Sequence, residues 1–188
     1  MTQPKTALLL IDVQASFPAR DYWVESLAQA WRPKQRAVLN AAQTNDIPVV
    51  RILHEAPGSQ GAFDPDGGLI RPLDDFNDEV AVTFQKRAHN AFSDTSLESW
   101  LRERRIERLA ISGIRTEQCC ETTARVASDL GFSVDFISDA TLTFPMTRHG
   151  ITWSADDIKA RTELVLEDRF ARIISTQDMI NEWQTPRE

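Results

Sequence analysis

Cysteine is nearly absent from this sequence: two of 188 residues, Cys119 and Cys120, and they are neighbours. Adjacent Cα atoms stand only ~3.8 Å apart, so the two cannot form an ordinary disulfide with each other. With no third cysteine, any bridge would have to join two chains, and reduced thiols in a reducing compartment are the expectation. Long apolar runs are missing too, and none approaches the roughly 18 residues that a membrane span needs. The N-terminal stretch MTQPKTALLLIDVQ has a short apolar segment ending at Asp12, without the length or small-residue cleavage site of a secretory signal. A cytoplasmic protein without membrane contact is therefore expected. Positive charge is in deficit: 21 Lys and Arg against 28 Asp and Glu give a net charge of −7, which argues against a nucleic-acid partner. The basic stretch LRERRIERL reads as a charged helix exit. Glycine is scarce, at seven, and there is no internal repeat, low-complexity tract or linker. With 41% hydrophobic residues the composition is ordinary for a globular chain, and the length suits one domain over 1–188.

What is present is a series of short apolar runs: ALLLI, IPVVRIL, RLAISG, FSVDFIS and ARIIST. Runs of that length between polar residues mark parallel strands covered on both faces; a further strand is read at 80–84. Amphipathic stretches of helical length lie between them. Residues 94–104, DTSLESWLRER, open on a capping aspartate and place Leu97, Trp100 and Leu101 on one face. Residues 119–130 place Cys119, Thr123, Val126 and Leu130 on one face, with Glu121 and Arg125 as an i,i+4 pair opposite and Gly131 as the stop. Residues 154–167 have Ser154 as cap and acidic residues in the first turn. Such alternation implies an α/β fold, a parallel sheet with helices on both faces. The segment 55–78, rich in Gly, Pro and Asp and without period, is expected to be a long ordered loop beside the sheet.

In such a sheet, ligands bind outside the carboxyl ends of the strands. Asp12 lies where the first strand ends, and Cys119 lies past the turn IRTEQ that follows RLAISG. With Thr116 as N-cap, Cys119 would be the third residue of a helix, where unpaired N–H groups and the dipole lower a thiol's pKa and favour the thiolate. The same amides could form an oxyanion hole. The competing reading makes both cysteines small buried hydrophobes. A nucleophilic thiol needs a base, and His54, His89 and His149 do not mark a site by their spacing. Asp12 could serve if a cation shares the pocket, and Lys86, following the strand at 80–84, is the candidate; the alternative is a solvated lysine.

Three fragments, LLLIDVQASF, FQKRAHNAFSDTSLESWL and ISGIRTEQCCETTARVASDLGF, resemble in order and spacing the isochorismatase-like cysteine hydrolase superfamily. The matching positions are Asp12, Gln14 and Phe17; Lys86, Phe92 and Thr95; and Gly113, Thr116 and Cys119. The resemblance covers roughly residues 6–137, and the alternating pattern continues to 175. That superfamily includes nicotinamidases, carbamoylsarcosine amidase, ureidoacrylate and biuret amidohydrolases, and isochorismatases. The resemblance implies a three-layer αβα, Rossmann-like fold with a mostly parallel sheet of about six strands. It also implies a catalytic triad of Asp12, Lys86 and Cys119, with Cys120 as packing, and an oxyanion held by the backbone N–H groups of Cys119 and Arg115. A cis peptide at Ile114–Arg115 is implied as well. Gln14, Phe17, Phe92, Thr116 and Arg115 are the implied substrate-side residues. A homodimer or homotetramer acting on a small molecule is the expected assembly.

The departures from that pattern are informative. Nicotinamidases hold a metal through an Asp and two His after the second strand, whereas RILHEAPGSQGAF offers His54 alone, so no metal and no cofactor is expected. Arg115 replaces what is often alanine; at a pocket mouth its guanidinium could take a substrate carboxylate. Phe17, Trp23, Phe92 and Phe144 could line an apolar wall, and His149 reads as a loop residue. The implied activity is metal-independent hydrolysis of a C–N bond in a small amide, imide or ureido compound through a thioester. The alternatives are vinyl-ether hydrolysis of an isochorismate-like compound and a catalytically idle ligand-binding chain.

Overall fold

The computed structural model describes residues 5–185; residues 1–4, where the question of a leader falls, and 186–188 lie outside the described residues. In chain order the elements are β1 (Thr6–Ile11), α1 (Glu25–Thr44), β2 (Val49–His54), β3 (Val82–Lys86), α2 (Leu97–Glu103) and β4 (Arg108–Ile114). They continue with α3 (Glu121–Asp129), β5 (Ser133–Leu142), β6 (Met146–Arg148), β7 (Ile151–Trp153), α4 (Ala155–Leu166), β8 (Arg172–Ile174) and α5 (Thr176–Gln184). A six-stranded sheet runs in the order β3-β2-β1-β4-β5-β8. Every pairing in it is parallel. β6 and β7 form a separate antiparallel hairpin.

The strands form for the reason their sequence suggests. In β1, Leu8 and Leu10 face one side and Ala7, Leu9 and Ile11 the other, and all five are buried, so neither face tolerates a polar residue. The first face packs on α1 and α5 through Trp31, Val38, Leu39, Ala42 and Met179. The second packs on α2, α3 and α4 through Leu97, Leu101, Ala124, Ala127 and Leu166. These are the three layers of the αβα fold.

Helix boundaries depart from the sequence reading where local capping loses to tertiary partners. α4 begins as expected, because Ser154 and Asp157 form a reciprocal capping box. α2 begins three residues later than 94, because the Asp94 carboxylate instead accepts from the backbone N–H groups of Arg87 and Ala88, at 2.7 and 3.2 Å. α3 is preceded by a π-helical turn, Thr116–Cys120. α1 is the longest helix and holds Pro33 in its interior; its apolar stripe is anchored by the Trp31 indole, which donates to Ala140 O at 2.8 Å. The strand expected at 80–84 is shifted to Val82–Lys86, so Lys86 ends β3 instead of following it. Residues 141–150, where His149 reads as a loop residue, are divided between the end of β5, a short connection and the β6–β7 hairpin.

The 55–78 segment is a loop with two 3₁₀ turns, Pro65–Gly67 and Asp74–Phe76. It is tied to the chain just after β1: Ala15 N donates to Arg71 O at 2.9 Å, Leu73 N to Val13 O at 3.1 Å, and Ser16 Oγ to Leu69 O at 3.0 Å. Buried Arg51 donates to Phe76 O and Asp78 O at 2.9 and 2.7 Å, closing its far end.

Gly113 sits where β4 crosses closest to β1, at φ 126°, and a Cβ there would stand 1.9 Å from Ile11 O. No side chain fits that contact, and it is the contact that brings the end of β1 beside the turn after β4. Gly113→Ala is therefore expected to cost more than about 3 kcal/mol and to lower the thermal midpoint by roughly 10 °C. A midpoint within a degree or two of wild type would show that the two strands can move apart.

Candidate active site

Three chain segments meet at the carboxyl end of the sheet. Asp12 follows β1 in a left-handed conformation, φ 51°, uncommon for a non-glycine residue, with its backbone N–H donating to Ile52 O at 2.9 Å. Lys86 ends β3, two strands away, and Cys119 lies in the π-helical turn after β4. The Lys86 ammonium stands 3.0 Å from Asp12 Oδ2 and 3.3 Å from Cys119 Sγ. Asp12 and Lys86 are 0% exposed and Cys119 6%. Beyond that ammonium and the Cys119 thiol, neither Asp12 oxygen has a hydrogen-bond donor among the described residues.

The electrostatics of the trio correct the expectation of a lowered thiol pKa. Burial pushes the Cys119 thiol up, the negative charge of Asp12 pushes it further, and the Lys86 ammonium opposes both. Burial works against the Lys86 charge as well, but Asp12 and Cys119 overcome it, so the ammonium is held above its ordinary value. One cation cannot balance two anions away from water, so the resting state is a carboxylate, an ammonium and a neutral thiol. The helix start is the weaker influence. Thiolate ultraviolet absorbance, taken as wild type minus Cys119→Ala, should be absent at neutral pH and appear only above the free-thiol range of ~8.5. Absorbance already present at neutral pH would contradict the neutral trio.

The remaining residues divide. Thr116 is not the N-cap: Arg115 occupies that position without a side-chain cap bond, and the Thr116 hydroxyl donates to Thr141 Oγ1 at 2.7 Å, tying the turn to β5. Gln14, implied as a substrate-side residue, is engaged within the protein. Its amide is used up inside, accepting from His54 N at 2.6 Å and donating to His54 O and Ser16 Oγ at 2.9 Å. The four-ring apolar wall is not formed. Phe17 meets Phe63 edge to face, Phe144 meets Trp23 and Tyr22, and Phe92 stacks on Phe132 in the core on the α2–α3 side. Thr95 caps within its own loop, donating to Ala91 O at 2.6 Å. Cys120 is fully buried among Ala124 and Ala127. His149 turns the β6–β7 hairpin in the left-handed region, exposed.

Arg115 neither points outward nor stands at an open mouth. Its buried guanidinium pairs with Glu117 at 3.1 Å and lies over the rings of Tyr22 and Phe144, at 4.7 and 5.8 Å. Its charge is already matched, so a substrate carboxylate would have to displace Glu117. The Ile114–Arg115 peptide is cis.

Sequence reasoning missed one neighbour of the trio. His54 ends β2 in register with Lys86 on β3, and its Nδ1 lies 3.2 Å from Lys86 Nζ. The register itself was the available signal, since the two residues close adjacent parallel strands. No group of three or more His, Cys, Asp or Glu side chains stands together among the described residues in a way that could hold a metal ion. The donors do not fit the metal of a nicotinamidase, because His54 Nδ1 is engaged with Lys86 and no group of three such donors forms around it among the described residues. An open cleft of about 650 Å³ lies elsewhere, against Ser138, Lys159, Arg172 and Glu182. No helix among the described residues is long and apolar enough to cross a membrane.

Residues 6–178 match the model of the isochorismatase domain family. The chain is 30% identical over 192 residues to the uncharacterized isochorismatase family protein YrdC of Bacillus subtilis, covering 96% of this chain and 97% of that one. It is 29% identical to nicotinamidase 3 of Arabidopsis thaliana, over 78% of this chain and 77% of that enzyme. It is 32% identical to streptothricin hydrolase of Streptomyces noursei, over 88% of this chain and 57% of that enzyme. A crystal structure from Burkholderia xenovorans LB400, provisionally described as an isochorismatase, superposes with a TM-score of 0.89 at 29% identity, covering 100% of this chain and 92% of that one. The chain belongs to the isochorismatase family of hydrolases.

Proposed function

We propose that this hydrolase cleaves a C–N bond of a small amide, imide or ureido compound without a metal, through a thioester on Cys119. One observation carries the reading: a buried ammonium within 3.0 Å of a carboxylate and 3.3 Å of a thiol. Asp12 takes the Sγ proton as sulfur attacks the carbonyl carbon, so the base acts during the attack, as the raised thiol requires. Lys86 stabilises the growing negative charge on sulfur and holds the Asp12 carboxylate beside it. The oxyanion is held by the backbone N–H groups of Arg115 and Cys119. The tetrahedral intermediate collapses, the C–N bond breaks, and Asp12 returns its proton to the departing nitrogen. Water then attacks the thioester, Asp12 accepting its proton and passing it to the departing sulfur, to give the acid and the free thiol.

Relatives named nicotinamidase and streptothricin hydrolase support nitrogen-containing substrates. A thiol inside the ion pair has no task in vinyl-ether hydrolysis, which favours C–N cleavage. Ammonia release should be measured on nicotinamide, biuret and N-carbamoylsarcosine, with and without a chelator. Release from at least one of them, unchanged by the chelator, is expected. Activity that needs an added metal ion, or none on this panel together with turnover of isochorismate, would contradict the proposal.

A further inference from the structure

The Lys86 ammonium has three protons and four acceptors around it: Asp12 Oδ2 at 3.0 Å, His54 Nδ1 and Ala88 O at 3.2 Å each, and Cys119 Sγ at 3.3 Å. An ammonium has no lone pair, so His54 meets it only as an acceptor, with a bare Nδ1 and its proton on Nε2. The imidazole is held in that pose from several directions. Its backbone N–H and C=O are both clamped by the Gln14 amide, at 2.6 and 2.9 Å. The next residue, Glu55, donates its backbone N–H to Lys86 O at 2.9 Å. Its ring meets Phe63 edge to face at 5.5 Å and lies 6.1 Å from the ring of His89. So firm a mount for one acceptor beside the cation needs a reason, and the reaction supplies it: the ammonium must point at the carboxylate and the sulfur together.

We propose that His54 is a positioning residue, whose neutral ring takes one N–H of Lys86 and thereby aims the others at Asp12 and Cys119. This rests on the hydrolase reading only for its purpose; the geometry exists without it. A second proton on the ring would turn the acceptor into a donor and set two cations 3.2 Å apart. The charged groups facing the ring are Lys86 from β3, Asp12 after β1 and His89 beyond β3, with the Glu55–Arg87 ion pair beside it. Burial first, then the charges of Lys86 and His89, hold the ring below the ordinary imidazole range, with Asp12 and the Ala88 carbonyl pulling the other way. The sign follows: the ring stays neutral at neutral pH, and the aim is lost as pH falls below that range.

The test uses iodoacetamide on the full chain and reads carbamidomethylation of Cys119 by peptide mass spectrometry, with fragment ions separating it from Cys120. The rate is followed across pH in wild type, His54→Asn and His54→Leu. Asparagine keeps an acceptor near the Nδ1 position but cannot be protonated, whereas leucine offers none. Wild type should show an acid inflection below the imidazole range, His54→Asn should keep the rate without that inflection, and His54→Leu should be about tenfold slower than wild type above the inflection and show none of its own. Thermal midpoints establish that each variant is folded. Wild-type rate and pH dependence in both folded variants would overturn the proposal and leave the hydrolase reading untouched. Amide hydrolysis that survives in Cys119→Ala would overturn the thioester mechanism and leave the alkylation result standing.

Discussion

Lys86→Met should unfold at a temperature roughly 10 °C below wild type, the consequence of about 3–5 kcal/mol lost when one partner of a buried ion pair is removed. The methionine keeps the length and most of the apolar volume of the side chain, so packing is not what fails. What remains is Asp12, 0% exposed, with only the neutral Cys119 thiol left to donate to it and no cation beside it. The diagnostic result is therefore non-additivity. Adding Asp12→Asn to Lys86→Met removes the stranded charge and should restore at least about half of the lost stability, because residues in contact do not contribute independently. Both proteins should be inactive, which separates stability from catalysis. If the double variant is no more stable than Lys86→Met, the ammonium was not balancing Asp12, and the site's charge assignment is wrong.

The strands of this fold were legible because each is covered on both faces and so had to be uniformly apolar. ALLLI, RLAISG and FSVDFIS are buried along nearly their whole length. α4 was legible because Ser154 and Asp157 cap it within the sequence itself. What escaped depended on groups remote in sequence. Asp94 looks like a cap until the N–H groups of Arg87 and Ala88 come within its reach. α1 was not delimited, since Pro33 interrupts the pattern that its buried stripe would otherwise show. The β6–β7 hairpin escaped because Met146, Ile151 and Trp153 are exposed and obey no burial period.

The same division runs through the site. Asp12, Lys86 and Cys119 could be picked from sequence because strand ends and a helix start converge on one edge of the sheet, and the resemblance joined them. Their charge states could not. The helix-start argument for a thiolate is local, whereas burial and Asp12 act through the tertiary structure and reverse it. Arg115 turns inward because Glu117 and the rings of Tyr22 and Phe144 enclose it, partners that no spacing announces. Gln14, which resembles a substrate-side residue, spends its amide on His54.

Cys119→Ala carries the larger effect on activity. The substitution removes one sulfur atom from a buried turn whose hydrogen bonds are made by backbone groups and by Thr116, so the fold should persist. The ion pair between Lys86 and Asp12 also remains, leaving general-base capacity without a nucleophile. Ammonia release on the panel amide that wild type cleaves fastest should fall by at least about 10⁴-fold in kcat/KM, the scale seen when a covalent nucleophile is deleted. Ammonia release by folded Cys119→Ala within about tenfold of wild type would mean that water is activated directly, and that the thiol takes no part in breaking the C–N bond.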